Sequence, residues 1–444
     1  MSDRNTNPLA DNRYRQLFSA QVLSLVGSGA GTVALGLLAF ELAGGEAGLV
    51  LGIAFALKMV AYVFVAPVAA GLFSRTSRKK LMVGLDLARA VVVVLIPFVT
   101  EVWQVYVLVF VLSSLSAGFT PAFQAVIPEI LEDEPTYTRA LSLSRIAYEL
   151  ENLGSPLIAA VLLVFTGFDA LFALNALTFL FSAALIIRTV IPKSESEGLP
   201  RRDWSQTTAG LSLFRSIPEL RGIAALNAAV ALAGAMVIVN TVVFVKEYFS
   251  GGNVEMSLTL AASGAGAVVA AILVPRILER LSERTVMIGG ACLLPAGLAA
   301  GYLVGDIAQL ALAWVVLGVG LSLVQTPIGR LLNRIATSTE RPSLFAAQFS
   351  LSHAAWLVAY PLAGALGAVI GVATSSLVLA LLAVLTVGAA GLVWRRQDRG
   401  APSPKTPWSD ALREPFSRFG EGPEAADTIG RWMRQQQRRR LKSG

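Results

Sequence analysis

The sequence has one cysteine and one histidine in 444 residues. A chain with a single thiol forms no internal disulfide, and one imidazole beside one thiol makes no Cys/His metal cluster. That thiol, Cys292, lies in an apolar run, so redox chemistry is not indicated. No nucleotide-binding motif is present. The Gly-rich segment AASGAGAVVAA (261–271) lacks the Lys-Ser/Thr ending of a phosphate loop and reads as close helix packing. No residue constellation supports enzymatic catalysis, no cofactor or metal is expected, and ATP-driven transport is not expected from this chain. Charge is also scarce, at 15% of residues against roughly 25% in a soluble protein. No cleavable leader is read. The first 15 residues are polar, and the first apolar run leads directly into others, so it reads as an anchor.

What is present is apolar. Hydrophobic residues make up 55% of the chain, and mean hydropathy is +0.65. Apolar runs of about 20 residues, broken by short polar joints, are the signature of transmembrane helices. An all-α membrane protein follows. Twelve spans are predicted, at 16–43, 47–73, 81–100, 103–131, 138–166, 169–191, 216–246, 254–279, 285–304, 306–334, 341–370 and 372–394. The net charge of +7 needs no nucleic acid to explain it, because basic residues gather in alternate joints. Arg13, Arg15, Arg75, Arg78, Lys79, Lys80, Arg201, Arg202, Arg276, Arg280, Arg284 and Arg341 lie in one set. The other set holds Glu46, Glu101, Asp169, Glu255 and Asp306, with Lys246 its only base. Both termini therefore read as cytoplasmic in a multi-pass cell membrane protein, the inner membrane if the cell has two.

The chain repeats itself. Thr120-Pro121 recurs as Thr326-Pro327, 206 residues on, and the joint LFSRTSRKKL (72–81) answers ILERLSERTV (277–286) at a shift of 205. Pro156 and Pro361 keep the same shift of 205. Two parallel six-helix repeats are expected. The predicted layout is a cytoplasmic N-terminus (1–15), a six-helix half (16–191), a charged Ser/Pro-rich cytoplasmic linker read as a loop (192–215), a second half (216–394) and a basic cytoplasmic tail (395–444). The end of that tail, DTIGRWMRQQQRRRLKSG, suits either anionic lipid headgroups or simple solvation.

Two six-helix repeats with a basic joint after the second span resemble the major facilitator superfamily over residues 10–395. The family's joint, G-x-L-a-D-R-x-x-R-R/K, is matched by GLFSRTSRKK (71–80) at Gly71, Leu72, Arg75, Lys79 and Lys80. It departs at Ser74, where the family's Asp helps latch the cytoplasmic gate. Glu279, beside Arg280, occupies the corresponding place in the second half and is a candidate for part of that role. GFTPAFQAVIPEIL (118–131), DLARA (86–90) and ALSLSRIAYELENLGSP (140–156) resemble the drug, macrolide and siderophore exporters of this superfamily. The last of these, with ALKMVAY (56–62), also resembles its nickel-resistance exporters, whose His-rich tail is missing here. The resemblance implies secondary transport by a monomer in the bilayer, with a small-molecule substrate and protons as partners.

Ionisable groups inside the predicted spans are expensive and point to transport routes. Arg145, Glu149, Glu151 and Asn152 interrupt the fifth span. At about 1.5 Å per residue, Glu149 lies about 16 Å into it. At about 100° per residue, Arg145, Glu149 and Asn152 share a face, while Glu151 lies roughly 160° from Glu149. Glu149 reads as a proton carrier or as a fixed partner of Arg145, with the carrier favoured; for Glu151 the structural role is favoured. Lys58 in the second span lies too deep to snorkel with ease and needs a carboxylate, a cavity or an anion. His353 is similarly deep in the eleventh span. In the family's fold these two spans face each other, which would set Lys58 and His353 on one cavity wall. Gln124 and its repeat mate Arg330, with Arg334 one turn on, complete the polar set. Asp86 and Arg89 read as latch partners of the basic joint. The leading expectation is proton-coupled efflux by alternating access. Export of nickel or a similar divalent metal through Glu149, Glu151, Asn152 and His353 is the alternative within transport, and a non-transporting assembly factor or sensor is the alternative outside it.

Overall fold

The structure, a computed structural model, describes residues 7–65, 77–131, 133–191, 204–336 and 340–400. Inside the helices some side chains also lie outside the description, among them those of Arg145, Glu149 and Asn152. The elements are all helical, with no strand among the described residues, and ten stretches are long and apolar enough to cross a membrane.

In chain order the helices are α1 (Asn12–Ala43), α2 (Ala47–Val60), α3 (Arg78–Leu95), α4 (Val102–Ile130), α5 (Glu134–Phe165), α6 (Asp169–Arg188), α7 (Trp204–Ser216), α8 (Pro218–Val243), α9 (Asn253–Leu278), α10 (Glu283–Leu303), α11 (Ile307–Gln325), α12 (Ile328–Ile335), α13 (Arg341–Ile370) and α14 (Val372–Gly400). Short joints hold their polar starts. The Asp11 carboxylate accepts from the backbone N–H groups of Arg13 and Tyr14 ahead of α1. Glu101 and Gln104 form a reciprocal capping box on α4, and Asp306 accepts from Gln309 N–H at α11. Each carboxylate satisfies backbone donors that a helix start leaves open and lies at the positive end of the helix dipole.

The exteriors are apolar. Phe98, Phe165, Leu303 and Val369 are each more than 70% exposed. Exposure on this scale fits a surface solvated by lipid rather than water.

The structure departs from the predicted layout in three places. First, the linker read as a loop is helical from Trp204 to Ser216, and α7 packs on α13, with Phe214 buried. Burial of its apolar positions outweighs the Ser/Thr content that suggested a loop. Second, the span expected at 306–334 is present as Ile307–Ile335, but its helix is interrupted at Thr326-Pro327, between α11 and α12. Proline offers no N–H to the preceding turn, and its ring crowds the carbonyl there. Third, α2 and α8 each end in one π-helical turn, at Ala61–Val65 and Phe244–Tyr248.

Residues up to Val393 form one compact unit, and the described residues after it are the end of α14. Within the unit, α1 packs on α5 and α6, α9 on α5 and α11, and α13 on α2 and α8. The α2–α13 seam is a close one. A Cβ added at Gly52 would fall 2.5 Å from the Tyr360 carbonyl oxygen, and one at Gly364 2.3 Å from that of Gly48. Only glycine permits this backbone-to-backbone approach. Asn240 of α8 fastens the seam by donating from Nδ2 to the Ala363 carbonyl at 2.9 Å.

Candidate functional site

Beside this seam lies a cavity of about 360 Å³. One wall comes from α1, α2 and α5, through Gly29, Thr32, Val33, Phe55, Lys58, Glu151 and Pro156. The other comes from α8, α9, α11 and α13. It is built of Gly234, Val237, Ile238, Met256, Leu260, Ser263, Gln325, Trp356, Tyr360 and small neighbours.

Two glycines set the width of this space. A Cβ at Gly29 would fall 2.3 Å from Ser155 Oγ and 3.3 Å from Glu151 Cγ, so α5 can bring Glu151 against α1 only because α1 is bare there. A Cβ at Gly234 would fall 2.1 Å from the Trp356 ring, so α8 makes room for the indole in the same way. These residues are related by number. Gly29 and Gly234, Thr32 and Val237, Val33 and Ile238, Phe55 and Leu260, Lys58 and Ser263, and Glu151 and Trp356 each lie 205 residues apart, and all twelve line this cavity.

Lys58 Nζ stands 5.8 Å from the Phe55 ring centre and 5.9 Å from that of Tyr62. Aromatic faces stabilise an ammonium that has left water. Lys58 also acts electrostatically on the Glu151 carboxylate. Apart from the Tyr360 phenol, these two are the ionisable groups of the wall among the described residues. The cavity thus combines an aromatic surface (Phe55, Trp356, Tyr360), one ammonium, one carboxylate and neutral hydrogen-bonding groups. An amphipathic organic molecule suits such a surface.

Of the residues expected from sequence, Lys58 and Glu151 meet here. Arg145, Glu149 and Asn152 lie on α5, with side chains outside the described set. His353 does not share the wall with Lys58, contrary to the expectation. Its ring stacks on Phe349 at 3.8 Å, and Nδ1–H donates to the Phe349 carbonyl at 2.7 Å. This turns the imidazole along its own helix, and its ring meets the Tyr62 ring edge-on, with centres 6.0 Å apart. Trp356 and Tyr360 take the wall position instead. Gln124 is exposed on α4 and outside the wall.

The expected gating residues are distributed differently. Gly71 and Arg75 lie outside the described residues. Arg78 pairs with Glu129 at the end of α4, Lys79 donates to the Thr189 carbonyl at 2.8 Å, and Lys80 is exposed. Asp86 is committed within α3 and α6 rather than to the described end of the basic joint. One of its oxygens pairs with Arg89 and the other accepts from Ser182 at 2.7 Å. The Arg89 guanidinium lies between Phe119 and Phe179, at 4.2 and 4.4 Å from the ring centres. Glu279 and Arg280 are exposed. The acid that gathers bases near them is Glu283, which binds Arg330 at 2.9 Å and Arg334 at 2.7 Å.

Sequence reading missed Trp356, Tyr360, Glu129 and Glu283. The 205-residue shift, applied to Glu151 and to Arg78, would have pointed to Trp356 and Glu283.

A bundle of apolar helices closed around an internal polar cavity defines a membrane transporter rather than an enzyme. Its fold is that of the major facilitator superfamily. It is similar to a bacterial homologue of the human lysosomal transporter Spinster, solved inward-facing and unoccupied, with a TM-score of 0.69 and 14% identity over 88% of this chain and 99% of that one. A bacterial homologue of the iron transporter ferroportin, inward-facing, gives a TM-score of 0.69 and 12% identity over 87% of this chain and 99% of that one.

The chain belongs to the transmembrane secretion effector family of this superfamily, which it matches over residues 4–329. It is similar to the MFS-type transporter YfiS of Bacillus subtilis (strain 168), with 27% identity over 86% of this chain and 92% of the relative. It is also similar to macrolide efflux protein A of Streptococcus pyogenes, with 26% identity over 59% of this chain and 65% of that protein.

Proposed function

We propose that this protein is a proton-coupled exporter of small amphipathic organic molecules. Two parallel six-helix halves rock about the cavity, and Glu151 alternates between proton and cargo. The observation that carries the reading is the set of six residue pairs, each 205 apart, on opposite walls of one cavity. Such pairing supports a two-fold architecture with its binding site at the pseudo-symmetry axis, near the bilayer midplane. The twelve spans are then α1–α6 in one half and α8–α11 (extended by α12), α13 and α14 in the other.

With both termini cytoplasmic, as the positive-inside bias supports, α2 begins at the outer face. The Gly52–Gly364 seam then closes the outer side, and cargo enters from the cytoplasm. Proton coupling draws its support from a carboxylate and an ammonium placed on one wall of a space that cargo would occupy. Protonation would release Glu151 from Lys58, and a cationic or hydrogen-bonding cargo would replace the proton. Export of such compounds is supported by the macrolide efflux relatives. The Lys58 ammonium in the wall argues against a divalent metal as cargo.

The test is uptake into inside-out vesicles under an imposed pH gradient, with erythromycin, ethidium and nickel chloride as probes. Gradient-dependent accumulation of an organic probe, abolished by a protonophore, is the expected result. Accumulation of nickel alone, or none with any probe, rejects the reading. Glu149→Gln tested beside Glu151→Gln decides which carboxylate of α5 carries the proton. Lys58→Ala is expected to change the ranking of organic probes by several-fold, and an unchanged ranking would count against a wall role for the ammonium.

A further inference from the structure

A second cavity, of about 100 Å³, opens on the far side of Glu151 and Lys58, inside the bundle formed by α1, α2, α4, α5 and α6. It shares Thr32, Phe55, Lys58 and Glu151 with the large cavity but none of the C-terminal wall. Its lining is polar for a space among membrane spans, with Ser28 on α1, Ser113 and Ser116 on α4, and Asn175 on α6. Asn175 is 3% exposed, and its Oδ1 is buried with no hydrogen-bond partner in the protein. A Cβ at Gly31, which lines this cavity, would fall 2.4 Å from Asn175 Nδ2, so the amide lies at the cavity's edge. Ser116 donates to the Leu112 carbonyl of its own helix at 2.9 Å and keeps acceptor capacity for another group. A polar space of this size holds a few waters. At a shift of 205, Ser28 and Asn175 correspond to Ala233 and Ala380, so the C-terminal half lacks these two polar groups.

We propose that this side cavity is a hydrated proton antechamber. Waters held by the serine hydroxyls and the Asn175 side chain reach the Glu151 carboxylate from behind, so the coupling proton arrives and leaves without crossing the cargo cavity. A hydronium at the inner end of the water chain gives its proton to a carboxylate oxygen of Glu151. An O–H bond forms there, the neutral acid results, and a water remains; release reverses the step. Among the described residues, the charged and titratable groups lining the two cavities with Glu151 are Lys58 from α2 and the Tyr360 phenol from α13, with Tyr62 bordering the side cavity next to Lys58. Among the described residues, α1, α4, α6 and α9 bring only hydroxyl, amide and apolar groups to these walls. The proposal rests on the reading of Glu151 as the coupling carboxylate.

The experiment uses the full chain in lipid nanodiscs without cargo. A rapid pH jump is followed by infrared difference spectroscopy of the protonated carboxyl band, assigned to Glu151 by its loss in Glu151→Gln. Asn175→Leu is expected to leave the amplitude of the band intact while slowing its appearance at least about tenfold. Ser113→Ala with Ser116→Ala, which removes hydroxyls without adding bulk, is expected to slow it in the same direction and guards against misfolding of the leucine variant. An unchanged rate in both overturns the antechamber alone. Loss of the band in folded variants also overturns it, because Asn175 would then shape the carboxylate's own site. A wild-type protein with no titrating Glu151 band overturns the coupling assignment, and the antechamber with it.

Discussion

The two walls of the large cavity share a frame and differ in chemistry. Gly29 admits Glu151 on one side as Gly234 admits Trp356 on the other. Lys58 on α2 stands where α9 has Ser263, and Thr32 where α8 has Val237. Among the described residues, both charges of the cavity are thus on the N-terminal wall, while the C-terminal wall is neutral and includes the large indole. A second comparison runs along the ion pairs at the helix ends. Arg78 and Glu129 are 51 residues apart, as are Glu283 and Arg334, and each lies 205 residues from its counterpart. The acid and base have exchanged places. A frame that tolerates this exchange requires an ion pair at that joint, not a particular order of charges, since Coulomb attraction does not depend on which helix holds which sign. Inside the cavity the same frame carries an ammonium and a carboxylate on one wall and a neutral, aromatic surface on the other.

The largest effect is expected from the wall that holds charge. Glu151→Gln should reduce proton-driven uptake in inside-out vesicles by about a hundredfold or more while membrane insertion is retained. Proton-driven transport at wild-type rate would falsify the division of labour at its root. Next comes the seam that the walls share. Gly364→Val pushes a side chain into the Gly48 backbone and should cost about 1–3 kcal/mol through overpacking. Thermal unfolding in detergent measures that loss, and an unshifted midpoint would mean the seam gives way more easily than its geometry implies.

Trp356→Ala tests the neutral wall. The apparent affinity for an organic probe should fall by about threefold to tenfold, in line with about 0.5–1.5 kcal/mol for an aromatic contact, and the pH dependence of transport should not move. A shifted pH profile would assign coupling to both walls and dissolve the contrast. The smallest effect belongs to the ion pairs. Arg78→Glu alone should lower transport by a few-fold, consistent with up to about 1 kcal/mol for a pair of this kind. Adding Glu129→Arg, which gives the N-terminal joint the polarity of the C-terminal one, should recover most of it. A double variant no better than the single would show that charge order matters at this joint.

Much of the fold was legible. Hydropathy is a local property, so the spans appear as runs of residues whatever they later touch. Where the reading failed, tertiary context prevailed. The linker helix α7 is held by packing on α13, and Pro327 breaks a run that looked continuous, although Pro121 in the matching position leaves α4 whole. The site was half legible. Lys58 and Glu151 stood out because charge within an apolar run is rare. Trp356, Tyr360 and Phe55 did not, because an aromatic side chain in an apolar span looks the same whether it meets lipid, core or cavity. Asn175 is a single amide in a long apolar helix, and only the cavity beside it gives it meaning.

By itself, then, the sequence determined that this is a helical membrane protein. It also set the joints where basic residues gather and the polar groups at bilayer depth, all of which follow from the composition of contiguous segments. The tertiary structure alone decided that Glu151, rather than His353, shares a wall with Lys58, that Glu283 rather than Glu279 gathers the arginines, and that two cavities meet at one carboxylate. The reason is geometric. Which face of a helix meets a neighbour depends on where its glycines let another backbone approach, and the partners in that approach are far apart in the chain.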